Sequence, residues 1–172
     1  MNALEKIVSV LLGLAVMFLT IFTVCFNQEE KMQQAVITDK VIRFKNAICN
    51  NGYLSLDMWD DFLTRTSATG LSYTYDLTLC HQVIEPKVDD AGNQIGNEII
   101  QYNQYSYTDD IIMELNNKGI IYFTQGDYIY IELRSTTATQ AGDLRDSVYG
   151  REISETDFIT ANAGGEVRDE NY

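Results

Sequence analysis

Ile7 to Phe26, IVSVLLGLAVMFLTIFTVCF, is an unbroken apolar run with no charged residue, and it constrains the chain more than any other stretch. As a helix rising about 1.5 Å per residue it reaches roughly 30 Å, the thickness of a bilayer's hydrocarbon core. Ser9, Thr20 and Thr23 are compatible with that helix, because their hydroxyls bond back to carbonyls one turn earlier. A cleaved signal peptide is the competing reading. Its apolar core is normally about 7 to 15 residues and is followed by a small-x-small site, which Thr23-Val24-Cys25-Phe26-Asn27-Gln28 does not provide. The residue before Cys25 is Val24, where a lipoprotein site needs a small residue. The expectation is a retained membrane helix over 1–26.

No helix breaker follows until Asn50-Asn51-Gly52. Met32, Val36 or Ile37, Val41, Phe44 and Ile48 recur at three- and four-residue steps, so residues 27–51 are predicted to continue the rod as an amphipathic helix with a glycine cap. Glu29 and Glu30 early in this segment, with Lys40, Arg43 and Lys45 late, suit the helix dipole. An amphipathic half needs something to pack against, and 52–150 is long enough for one small α+β domain. Leu54 to Ala68 reads as a helix capped by Ser55, with Trp59 docking it on the rod. Leu71 to Ile84 alternates at strand period and is predicted to be a central strand that Glu85-Pro86 breaks. A turn-rich loop then leads to a second strand, Glu98 to Tyr107.

Thr108-Asp109-Asp110 is predicted to cap a short helix from Ile111 to Asn116. Ile120 to Thr124 and Tyr128 to Leu133 flank Gln125-Gly126-Asp127, a tight hairpin signal. Ala138 to Tyr149 is a weak amphipathic helix. The acidic tail 151–172 has few large apolar residues and contains Ala163-Gly164-Gly165, so it is expected to be peripheral or partly disordered. The fold class expected is α+β: a long N-terminal transmembrane helix continuing into an amphipathic helix, packed with a small antiparallel sheet and short helices.

Charge and chemistry exclude several functions. The net charge of −13 lies almost wholly after residue 26, so the domain repels phosphate backbones, and nucleic acid is not expected as a partner. The single histidine, His81, neighbours Cys80 on a strand, where adjacent side chains point to opposite faces. No metal-ligand spacing accompanies them. Asp89-Asp90-Ala91-Gly92-Asn93 lacks the alternating ligands and closing glutamate of a calcium loop. With no GxSxG, no phosphate-binding glycine loop and little for acid–base work, neither catalysis, a cofactor, a metal nor a small-molecule substrate is expected. Cys49 and Cys80 are the pair that can close a disulfide in an oxidising compartment, or else all three cysteines are small buried hydrophobes. Counting Lys and Arg near the span favours an outside N-terminus. Long domains cross regardless of charge, and the tyrosine-rich domain is read as extracytoplasmic on a single-pass anchor in the cell membrane.

Glu5 ahead of an apolar helix, the amphipathic continuation and a small sheet domain resemble a type IV pilin or pseudopilin. The stretch from Phe44 through NNGYLSLDMWDDFLTRTSATGLSYTYDLTLCH, with YFTQGDYIYIEL after it, is similar to the short pilin-like proteins of Tad-type pilus loci in Gram-positive bacteria. That resemblance implies a structural subunit whose partners are membrane lipid, other pilin-like subunits and assembly machinery. It implies that Glu5 neutralises a neighbouring subunit's amino terminus. Gly13 and Ala15, from their size, would let neighbouring helices approach. Pilins carry a basic leader ending in Gly or Ala, whereas Met1-Asn2 opens this sequence. The expectation is either a leader lying outside it or an unprocessed pilin-like subunit. The competing class is a single-pass anchored binding module that does not polymerise.

Overall fold

In the computed structural model, which describes residues 3–88, 94–150 and 157–168, the rod is a single helix, α1, Ala3–Asn51. At 1.5 Å per residue it is about 70 Å long. Its upper half carries the domain through Ile37, Val41, Phe44 and Ile48, all buried at the predicted steps, whereas Met32 and Val36 stay exposed. Gly52 ends the helix at φ 70°, its N–H bonded to the Ile48 carbonyl at 2.9 Å. Thr20 and Thr23 donate to the carbonyls of Val16 and Leu19, both at 2.8 Å, so the span's hydroxyls are satisfied within the helix.

The chain then forms β1 (Tyr53–Ser55), α2 (Leu56–Ser67), β2 (Tyr73–Val88), β3 (Gln94–Tyr107) and α3 (Thr108–Lys118). It continues as β4 (Ile120–Tyr122), β5 (Tyr128–Ser135), α4 (Gln140–Tyr149) and β6 (Thr160–Glu166). The α+β class is as expected. Ser55 caps α2, accepting from the Met58 N–H at 3.2 Å. Trp59 and Phe62 are buried against Phe44, with the Phe44 and Phe62 rings stacked at 4.1 Å, so the tryptophan docks α2 on the rod. Four antiparallel strands in the order β3-β2-β5-β6 make the main sheet, and α1 lies along β6 on one of its faces. Ile129, Ile131 and Leu133 of β5 project into the core and are wholly buried.

Several local expectations are corrected. β2 runs through Glu85-Pro86 instead of ending there. Beyond Cys80 it pairs with β3 alone, so proline's missing N–H is tolerated, and a register shift follows between Pro86 and Val88. β3 begins at Gln94, four residues earlier than predicted, and the calcium-loop reading at 89–93 falls outside the described residues. Thr108 does not cap α3. Its hydroxyl accepts from the Leu77 N–H at 2.8 Å and so ties α3 to β2. Gly119 ends α3 in the left-handed region at φ 77°.

β4 and β5 are not a hairpin. β4 pairs with β1 and β5 with β2 and β6, because the buried Ile121 and Leu54 hold β4 against the start of the domain. Nor is the tail peripheral between Asp157 and Arg168: β6 closes the sheet. Its small residues are what its position requires. A Cβ on Gly165 would stand 2.8 Å from Lys45 Cδ and 3.2 Å from Cys49 Sγ, so glycine lets β6 lie this close to α1 without displacing those side chains.

Candidate assembly interface

Two features distinguish the ends of α1. The lower half is long and apolar enough to cross a membrane, and none of that stretch is covered by the described residues of the chain's own domain. At about 100° per residue, Glu5, Ser9, Gly13, Thr20, Thr23 and Asn27 fall within an arc of roughly 80°. Extended upward, that arc meets Gln34, Thr38 and Val41, the side on which the domain packs. The small and polar side of the bare half is therefore in line with the domain above it. Glu5 lies exposed in the first turn and nothing stands within 4 Å of a Cβ built on Gly13. Ala15, two residues beyond Gly13, projects from nearly the opposite side, so these two residues do not serve one contact.

Just above the apolar run, α4 is clamped to α1. Arg145 donates from Nη2 to Glu30 Oε1 at 3.1 Å and from Nη1 to Glu30 Oε2 at 3.3 Å, a bidentate pair. The same guanidinium reaches Asp157 Oδ1 at 3.0 Å and Asn27 Oδ1 at 3.2 Å. Thr139 caps α4 by accepting from the Gly142 N–H, and its hydroxyl donates to Glu30 Oε1 at 3.0 Å. Asp157 is buried, and its backbone carbonyl accepts from the Thr139 N–H at 2.8 Å. The bond to Glu30 is the main reason Arg145 holds its proton more tightly than a free arginine, with the bond to Asp157 adding to it and burial opposing both. Arg145 bridges two carboxylates here, and the bridge joins the domain to α1 at the end of the apolar span. Sequence reading placed Glu30 near the boundary but not its partner, which is 115 residues away. The local signal for the α4 end, Thr139 followed three residues later by a glycine N–H, names no partner.

The cysteine pair does not form a disulfide: Cys25, Cys49 and Cys80 are free thiols. Cys80 is paired with Tyr128, next to Ile129, and adjacent strand residues take opposite faces. Cys49 packs at Gly165, which is paired with Ile129, on the α1 side. The sheet separates the two sulfurs. Burial pushes the Cys49 thiol up, with Lys45 and Arg168 pulling the other way.

His81 is held by a buried carboxylate. Its Nδ1 stands 2.5 Å from Oδ1 of the buried Asp127, whose Oδ2 accepts from the Thr124 N–H at 2.9 Å. That carboxylate holds the turn carrying the chain from the small sheet to the large one. Among the described residues no group of three or more His, Cys, Asp and Glu side chains could hold a metal ion. No protein-family model, curated protein or solved structure matches the chain.

Proposed function

We propose that this protein is a pilin-like structural subunit of a membrane assembly, anchored and packed through α1, with its domain on the extracytoplasmic side. The observation that carries the reading is the division of α1. One half is covered by its own domain and the other is bare, apolar, and marked along one side by Glu5, Ser9 and Gly13. A plain anchor needs length and apolarity alone, whereas a carboxylate at the head of the apolar helix with small residues along the same side suits packing against neighbouring helices. The clamp at Arg145 supports the same reading, since a domain fixed to its helix keeps one orientation beside neighbours. The resemblance in sequence to type IV and Tad-type pilins points the same way. The second reading, an anchored binding module that does not polymerise, is favoured by the open edge of β3.

Glu5→Ala separates the two. In an assembly that buries Glu5 against a neighbour's amine, loss of the carboxylate costs about 3 to 5 kcal/mol. Membrane insertion and protein level stay unchanged while crosslinking between the lower halves of α1 in neighbouring copies disappears. Undiminished crosslinking at equal protein level removes the subunit reading and leaves the anchored module.

A further inference from the structure

The two edges of the main sheet differ in a way that identifies a docking site. On β6, Gln34 of α1 bonds both backbone groups of Thr160: its side-chain amide donates to the Thr160 carbonyl and its Oε1 accepts from the Thr160 N–H at 3.3 Å. Helix α1 thus occupies that edge at Thr160. On the other side β3 is the last strand, paired with β2 and with no strand beyond it among the described residues. Across fourteen residues it carries one charge, Glu98, with no lysine and no proline. Those are the residues by which an exposed edge is normally kept from pairing. Ile100, Tyr102, Tyr105 and Tyr107 along it are exposed.

The surroundings of this edge are acidic. Where β3 stops at Tyr107, β2 continues back to Tyr73, leaving a cleft of about 460 Å³. Thr74, Asp76, Thr78, Tyr107 and Asp109 line it, and no lysine or arginine does. Tyr105 and Tyr107 share the outer face of the sheet with Tyr128 and Tyr130, because Cys80 is paired with both Tyr105 and Tyr128 and Thr78 with both Tyr107 and Tyr130. Aromatic faces attract cations, and carboxylates beside them add to that attraction.

We infer that the β3 edge receives an extended lysine- or arginine-bearing segment of a partner protein as an added strand. Its backbone pairs with β3, and its basic side chains lie on the tyrosine face and in the Asp76–Asp109 cleft. A second copy of this chain does not fit, because a two-fold axis pairing β3 with β3 would turn the two α1 helices in opposite directions. The inference stands on the domain alone and holds whether or not α1 polymerises.

The test uses the full chain in nanodiscs of zwitterionic lipid and the fluorescence anisotropy of labelled ten-residue peptides. One alternates lysine with threonine, a second is the same peptide with all its backbone amides N-methylated, and a third has glutamate for lysine. The first is expected to bind, the second about tenfold more weakly and the third not at all. Asp76→Asn with Asp109→Asn is expected to weaken the first about tenfold, with the circular dichroism spectrum unchanged. Equal binding of the first two peptides means attraction by charge alone and overturns the inference, as does binding of the acidic peptide or of none. Disulfide crosslinking of Tyr105→Cys between copies in one nanodisc, in a chain also carrying Cys25→Ser and Cys80→Ser, assigns the edge to self-pairing and overturns it equally.

Discussion

Arg145 on α4 grips both carboxylate oxygens of Glu30 on α1, and with a further bond to Asp157 it joins three segments at the foot of the domain. The Glu30 and Arg145 side chains are 19% and 26% exposed and that of Asp157 2%, so solvent screens this cluster less than a surface pair. Arg145→Ala removes the guanidinium bonded to both Glu30 and the buried Asp157 and should destabilise the domain by about 3 kcal/mol. Glu30→Gln keeps a hydrogen-bond acceptor and should cost less. Chemical denaturation of the two variants checks the order.

Reductant should leave the melting temperature unchanged, since Cys49 and Cys80 lie on opposite faces of the sheet as free thiols. Thiol labelling of the folded protein should modify the half-buried Cys80 well before the buried Cys49. Stabilisation of several kcal/mol by oxidant, the usual effect of a loop-closing bridge, would contradict the arrangement.

Alkaline pH should weaken the fold through Cys49 and Tyr73. Burial raises both, opposed at Cys49 by Lys45 and Arg168, and at Tyr73 by the Thr69 hydrogen bond. A group raised on folding contributes stability that is complete below its unfolded pKa and is lost as pH climbs through the folded one. For the thiol the loss should begin above about pH 8.5, and for the phenol above about pH 10. Urea midpoints across that range should fall, and Cys49→Ala should remove the first part of the decline.

Gly165→Val should prise β6 from α1, because the added side chain meets Lys45 Cδ and Cys49 Sγ. A cost of about 1 to 3 kcal/mol is expected for overpacking of this kind. Hydrogen exchange should show the β5–β6 bonds opening first.

Asp127→Ala should cost about 2 kcal/mol by leaving the Thr124 N–H without its acceptor. His81→Ala should cost much less, since the imidazole side chain is 41% exposed and its loss leaves Asp127 still bonded to Thr124. Denaturation midpoints of the two variants give the comparison directly.

What can be read from sequence alone is what neighbouring residues decide together. The apolar run fits only a continuous helix, the steps from Ile37 to Ile48 mark its buried side, and the alternation from Tyr73 sets which face of β2 is inward. Ser55 and Gly119 end their elements by chemistry within a few residues. Tertiary structure alone decided the partners. Gln125-Gly126-Asp127 turns the chain as a hairpin signal does, yet the strands it joins enter different sheets, because Ile121 is buried beside Leu54 rather than against β5. Ala163-Gly164-Gly165 looks like a poor strand by propensity, since residues that lack side chains bury little. It becomes an ordered strand because closeness to α1, not the size of its own side chains, is what its position demands. The grip of Arg145 on Glu30 has no local signature either, for a charge pair between distant segments exists only once packing has brought those segments together.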